Sequence, residues 1–400
     1  MPNKYSSMRD ELRERKAGTF MKKSIILALA VLFASLGVGC GAATNGGGGT
    51  AKEDGTAPAL SLDERADQVV SSMSLTEKVG QMVMIGVHGT DITDDSRYML
   101  QQFHMGGVIL FDRNMESQEQ TKQLIQHLQK EAMEKVPLFI AVDEEGGKVA
   151  RMRDALPPPP SQQSIGDSGD PALAEEWAER ISAPMMEMGF NVNFAPVADV
   201  GAGRERSYST DAETAAAFVK AAATGYEKAG LIYTLKHFPG IGKAPVDPHA
   251  DISDIPASLE ELEADDLIPF QAILQERDPN RYLIMMSHLR FPALDPERPA
   301  SLSPAIVTGL LRDKLGYKGV IVTDDMGMGA VAKYGGFREM GEAAVKAGAD
   351  IVLVCHEYAN QQDAYLGILE AVQQGRISEE RINESVKRIV RTKLTNLRKR

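Results

Sequence analysis

Titratable side chains stand at the ends of the apolar runs in this chain. Asp143 follows LFIAV, Asp199 comes shortly after NVNF, Lys236 and His237 follow IYTL, His288 follows LIMMS, Asp324 follows VIVT and His356 follows VLVC. A carboxylate can serve as nucleophile or hydrogen-bond acceptor, and an imidazole can take up and return a proton near neutral pH. Three segments concentrate such groups. VDEEGGKVARM (142–152) joins Asp143 and Arg151 through Gly146 and Gly147, a pair that lets the backbone turn sharply and approach a ligand closely. LKHFPGIGKAPVDPHADI (235–252) is a Gly/Pro-punctuated loop with Lys236, His237, Asp247 and His249, and GVIVTDDMGMGA (319–330) presents Asp324 and Asp325 at the end of a buried-looking run. No HExxH or clustered Cys/His pattern marks a metal site, and FPGIGK lacks the Gly-Lys-Ser/Thr ending of a phosphate-binding loop. No metal and no cofactor is expected.

Groups so distant in sequence need a scaffold that gathers them. Short β-branched or apolar runs predict strands at Met82–Val87, Val108–Phe111, Leu138–Val142, Val192–Phe194, Ile232–Leu235, Tyr282–Met286, Gly319–Val322 and Ile351–Val354. Amphipathic stretches predict helices between them, at Glu116–Lys135, Pro171–Met188, Thr210–Ala229, Ser258–Gln275, Ser303–Leu315, Phe337–Ala347 and Gln361–Gln374, with a last one from Ser378 to about Leu397. Ser74-Leu-Thr-Glu77 reads as a capping box at the first of these patterns. Eight strands separated by helices predict an α/β fold, a single (β/α)8 barrel of TIM type, in which residues following the strands share one rim.

The chain has 400 residues, 43% hydrophobic and 25% charged, which excludes a chain disordered throughout, a collagen and a multi-span membrane protein. From Met21, MKKSIILALAVLFASLGVGC has a basic start, an apolar run and small residues before a cysteine, and resembles a bacterial lipoprotein signal cleaved before Cys40. The expected organisation is therefore upstream sequence and signal over 1–39, a flexible Gly-rich tether over 40–61 and the catalytic barrel over 62–400. An acylated Cys40 would hold the protein outside the cytoplasm, lipid-anchored to the cell membrane. Seven Lys or Arg and three Asp or Glu fall within 1–39, so a formal charge of −12 becomes −16 for the remainder, which disfavours nucleic acid as a partner. Cys355, the other cysteine, reads as a buried thiol, and a monomer is expected.

Together with GGVILFDRN (106–114), NFAPVADV (193–200), RERSYS (204–209) and SHLRFPALDPERPASLS (287–303), the three segments resemble glycoside hydrolase family 3, specifically its bacterial β-N-acetylglucosaminidases. The resemblance runs over roughly residues 62–396 in the family's order and spacing, and implies the barrel-only form without a second α/β domain. It implies a retaining mechanism with Asp324 as nucleophile, His249 as acid/base and Asp247 orienting the imidazole. It also implies substrate binding by Asp143, Arg151, Arg206, Lys236 and His237, with a glycan bearing terminal N-acetylglucosamine as partner. Plainer readings stand beside these. Asp324 could cap the following helix, His249 could be an idle loop histidine, Lys236 and His237 could form a buried ion pair with Asp143, and Arg151 and Arg206 could be ordinary surface arginines. His288 receives no role.

The chain departs from the family pattern KHFPGHGDTxxDSH at Ile241, Lys243 and Pro248. Two alternatives follow: a phosphorylase, because a histidine acid/base does not repel phosphate as a carboxylate would, and a non-catalytic glycan-binding surface lipoprotein whose loop has decayed.

Overall fold

The computed structural model describes residues 60–132, 135–201, 203, 205–244 and 254–397. Eight parallel strands close into a barrel: β1 (Val83–Gly86), β2 (Gly107–Ile109), β3 (Phe139–Val142), β6 (Val192–Asn193), β7 (Ile232–Phe238), β8 (Tyr282–Met286), β9 (Val320–Asp325) and β10 (Ile351–Val354). The two remaining strands, β4 (Glu144–Gly146) and β5 (Val149–Ala150), form an antiparallel hairpin directly after β3. The ring closes where β1 pairs with both β10 and β2, with Ile85 opposite Val354 and Val108. The expected (β/α)8 barrel is the observed fold. Its strands are continuous apolar runs because both faces are covered, one by the barrel interior and one by helices. Every strand residue of the barrel is buried until Asp324 and Asp325, where β9 reaches the rim.

The helices start where side chains satisfy the free backbone N–H groups. Reciprocal Ser/Glu capping boxes open Leu62–Ser71, Leu75–Gln81 and Leu259–Ala264. Helices Pro171–Met188 and Ala212–Ala229 stop at Gly189 and Gly230, whose φ values of 106° and 85° only glycine adopts without strain. One expected helix is two: the Ser258–Gln275 pattern breaks into Leu259–Ala264 and Ile268–Leu274. Pro269 lacks an N–H and fits only the first turn of a new helix, and Asp265 and Asp266 turn to meet Lys243. Helices Asp94–Phe103 and Gln162–Gly166 have weaker patterns and were not expected.

The amino-terminal end of the barrel is sealed by satisfied charge. Lys393, from the last helix (Glu379–Asn396), donates to Gln81 Oε1 at 2.7 Å and to the Gly106 carbonyl at 2.8 Å, with its Nζ 4.8 Å from the Phe139 ring centre. Asp350, fully buried before β10, accepts from the Ile321 N–H (2.9 Å), Ser385 Oγ (2.6 Å), Arg388 Nε (3.0 Å) and Arg312. Burial alone would raise its pKa; Arg388, Arg312, Arg381 and Ser385 outweigh burial and hold it at about 2. Because this lies below the ordinary 3.8, the group stabilises the fold above pH 3.8 and that contribution fades as pH falls toward 2. Asp350→Asn strands three guanidiniums and is expected to cost about 3–5 kcal/mol at pH 7 by urea denaturation. A loss under about 1 kcal/mol would show that the cluster is not a structural anchor.

Candidate active site

At the opposite rim, β3 hands the chain to Asp143 and then to the β4–β5 hairpin. Gly146 and Gly147 turn that hairpin at φ 95° and 55°, and a Cβ on Gly146 would run into the Pro160 carbonyl. From β7, Lys236 extends a side chain that is 2% exposed, with Nζ 2.6 Å from Asp143 Oδ1 and 2.6 Å from Glu145 Oε1. Glu145, equally buried, also receives Arg206 in a two-pronged contact, Nε to Oε2 at 2.8 Å and the terminal nitrogen to Oε1 at 2.7 Å. That Arg206 nitrogen lies 3.4 Å from His237 Nε2. On its other side His237 meets Asp199, Nδ1 to Oδ2 at 2.8 Å, while Asp199 Oδ1 accepts the backbone N–H groups of His237 and Ile241, each at 3.0 Å. A carboxylate only accepts, so Nδ1 carries the proton and a neutral His237 offers its Nε2 lone pair toward Arg206.

One connected network, Asp143–Lys236–Glu145–Arg206–His237–Asp199, thus gathers side chains from β7 and the loops after β3 and β6. It answers the plainer readings. Lys236 does form a buried ion pair with Asp143, but His237 pairs with Asp199 instead, and Arg206 is mostly buried. The carboxyl of Asp143 stays 18% exposed, so its pairing with Lys236 leaves it able to meet a ligand. Arg151 sits outside the network, its guanidinium 5.8 Å from the Phe111 ring centre and its Nε buried without a hydrogen-bond partner among the described residues.

Asp324 and Asp325 divide their duties at the end of β9. Asp325 Oδ1 accepts the N–H groups of Gly327 (3.0 Å) and Cys355 (2.9 Å), so the turn-capping carboxylate is Asp325. Asp324 Oδ1 accepts the Asp325 N–H at 2.8 Å, and among the described residues Oδ2 has no hydrogen bond. Burial opposes its charge; His237 and His288 in their protonated forms, the Asp325 N–H and the Lys236 ammonium act against burial and place the carboxyl below its usual range. Cys355 is buried, as expected. Asp247 and His249 lie outside the described residues, as does Cys40.

Glu145 and Asp199 received no role in the reading of the sequence. Glu145 stands two residues beyond Asp143 on an extended segment, and side chains two apart share a face, so the spacing itself carried the signal. Lys236 and Arg206 drive its carboxyl far below the usual range against the effect of burial, and it in turn helps hold both cations charged. Its neighbour Glu144 lacks such partners. It accepts the Met152 N–H at 3.1 Å, has an Oε1 unpaired among the described residues, and is pushed by burial from 4.5 to about 7.

A barrel whose rim presents an ionised carboxylate beside fixed donors and acceptors has the fold and the kind of site that (β/α)8 glycoside hydrolases use. The chain belongs to glycosyl hydrolase family 3: residues 74–392 match the Glycosyl hydrolase family 3 N terminal domain. A beta-hexosaminidase of Stenotrophomonas maltophilia (strain K279a) is 40% identical over 286 residues, 69% of this chain and 83% of the relative. A glycoside hydrolase family 3 beta-N-acetylglucosaminidase from Paenibacillus sp. str. FPU-7 superposes with TM-score 0.78 at 39% identity, over 81% of this chain and 63% of that one. This chain therefore spans less than two thirds of that relative. A Beta-N-acetylhexosaminidase from Beutenbergia cavernae DSM 12333, 26% identical with TM-score 0.74, is matched over 98% of its length by 80% of this chain.

Glu144 yields a test by pH. Between 4.5 and about 7 the folded state binds a proton that the unfolded state has released, so stability falls as pH rises through that window. Glu144→Gln is expected to flatten this decline, by up to about 3 kcal/mol between pH 4.5 and 8 in urea denaturation. An unchanged slope would refute the assignment.

Proposed function

We propose that the protein is a retaining exo-β-N-acetylglucosaminidase (β-N-acetylhexosaminidase) that removes terminal N-acetylglucosamine from peptidoglycan- or chitin-type glycans as a monomer. The observation that carries this reading is Asp324, an ionised carboxylate with one tethered oxygen, on the same rim as the Lys236–Glu145–Arg206–His237 network. The names of the relatives support the choice of sugar. In the first step Asp324 Oδ2 attacks the anomeric carbon while His249 protonates the departing glycosidic oxygen. In the second, His249 takes a proton from water, whose oxygen attacks the same carbon and releases Asp324. Asp247 orients the imidazole. Asp143 accepts hydrogen bonds from sugar hydroxyls, Lys236, Arg206 and Arg151 donate to sugar oxygens, and His237 sits against the ring.

Hydrolysis is favoured over phosphorolysis by charge. Asp143, Glu145, Asp199 and Asp324 stand with two fixed cations in the network, Lys236 and Arg206, so a phosphate dianion would enter a site already rich in carboxylates. The test is turnover of 4-nitrophenyl N-acetyl-β-D-glucosaminide beside the matching glucoside, with and without inorganic phosphate. Free N-acetylglucosamine is the expected product; the sugar 1-phosphate would establish the phosphorylase, and silence from a folded wild type would leave a glycan-binding protein. Asp324→Ala should abolish turnover with folding intact. His249→Ala should lose about 10²- to 10⁴-fold on poor leaving groups and far less on good ones, whereas equal losses on both would remove it as the acid. Because Glu144 titrates at about 7, a limb of the rate profile assigned to His249 must survive Glu144→Gln.

We further infer that residues 1–39 are removed and that Cys40 is acylated, which places the enzyme outside the cytoplasm on the cell membrane. The wild type is expected to incorporate labelled palmitate and the Cys40→Ala chain not to; equal labelling of both, or of neither, would rule this anchor out.

A further inference from the structure

His288 follows β8 by two residues and is 2% exposed. Its ring spans two groups: Nδ1 lies 2.7 Å from Ser301 Oγ, and Nε2 lies 3.0 Å from the carbonyl oxygen of Asp325. A carbonyl only accepts, so Nε2 carries a proton. Burial lowers the pKa of the imidazole, more than Asp324 and the carbonyl contact raise it, so the ring is neutral and Nδ1 is a lone pair. Ser301 must then donate to it. The result is a chain with one direction, from Ser301 Oγ–H to Nδ1 and from Nε2–H to the Asp325 carbonyl. Ser301 is itself fully buried, and its N–H donates to the Ser287 carbonyl at 2.9 Å.

Residue 325 is thereby tied down through its N–H, its carbonyl, which also accepts the Met328 N–H at 3.0 Å, and one side-chain oxygen. Its side chain accepts from Gly327 and Cys355, its carbonyl from His288, and its own N–H donates to Asp324 Oδ1 at 2.8 Å. A rotation of this residue would swing the donor away from Oδ1 and turn the Asp324 carboxylate with it.

We propose that His288 is a positioning residue for the nucleophile: locked by Ser301 as a neutral Nε2–H imidazole, it fixes residue 325, and through that N–H one oxygen of Asp324, leaving the other to reach the anomeric carbon. This rests on Asp324 being the nucleophile. The test is steady-state turnover of 4-nitrophenyl N-acetyl-β-D-glucosaminide by the full chain and its His288→Leu, His288→Gln and Ser301→Ala variants, with melting temperatures measured in parallel. His288→Leu should lose about 10- to 100-fold in kcat with KM within about threefold, the scale of a small misplacement of a reacting group. His288→Gln keeps an N–H donor near Nε2 and should recover most of that loss, with Ser301→Ala in between. Wild-type kcat in His288→Leu, or an equal loss in His288→Gln at unchanged melting temperature, would overturn the proposal. If His288→Leu does not fold, the Gln and Ala variants decide, together with ¹⁵N-histidine NMR of the wild type at pH 7. There a neutral Nε2–H ring is expected, and an imidazolium or Nδ1–H ring would overturn the proposal. A wild type without turnover would sink the function and this inference together, whereas an active wild type with indifferent variants would sink this inference alone.

Discussion

A buried charge must be paired, and at this rim the pairing of Glu145 with Lys236 and Arg206 organises everything around it. A lone carboxylate at 2% exposure could not stay ionised. Two cations keep it so, and its neighbour Glu144, just as deep but without them, sits at about 7. The two residues are adjacent in sequence and differ only in which face of the segment they occupy. Removing one partner would strand the others, so β7, the hairpin after β3 and the loop bearing Arg206 hold one mutual geometry. A sugar entering such a site meets donors and acceptors already in place, and reorganisation takes no share of the binding free energy.

The two ends of the barrel use the same chemistry to opposite effect. At the amino-terminal end, Asp350 is surrounded by arginines, a serine and a backbone N–H, and Lys393 lies between a side-chain amide and a carbonyl. Both groups are closed off by their neighbours. At the carboxyl-terminal rim each network stops short among the described residues: Asp324 keeps an oxygen without a hydrogen bond, Asp143 keeps part of its surface, and Arg151 has a buried Nε without a partner. Polar groups left incomplete beside an ionised carboxylate on an open rim are available to a ligand. That contrast separates anchoring charge from working charge more cleanly than the types of residue involved.

Much of this was legible in the chain itself. Tyr282–Met286 and Ile351–Val354 coincide with the expected strands, because runs buried on both faces leave no ambiguity of period. The rim positions of Asp143, Lys236, His237 and Asp324 followed from those strand ends. Less legible was anything set by a partner remote in sequence. β7 runs on to Phe238, past the expected Leu235, by a bulge at His237 against β8: Lys236 pairs with Met285 and Phe238 with Met286. The role of Glu145 depends on cations 61 and 91 positions away, and the split of helix 258–275 depends on Lys243 reaching Asp265 and Asp266.

That last contact bears on whether the departures at Ile241 and Lys243 signal decay. A loop drifting free of selection would leave a new lysine in water, since an exposed cation costs nothing. Lys243 instead lies 2.6 Å from Asp265 and 3.0 Å from Asp266, whose side chain is 1% exposed and whose acidity burial weakens. Without the ammonium, that buried carboxyl would have lost its ion-pair partner. Ile241 likewise donates its N–H to Asp199, the residue that orients His237, and its side chain packs on the core. On the far side of 245–253, Asp254 is gripped by Arg290 at 2.7 and 2.6 Å. Ile241 and Lys243 are therefore built into the frame that carries the rim, with carboxylates in place beside the new lysine, which argues against decay at these two positions.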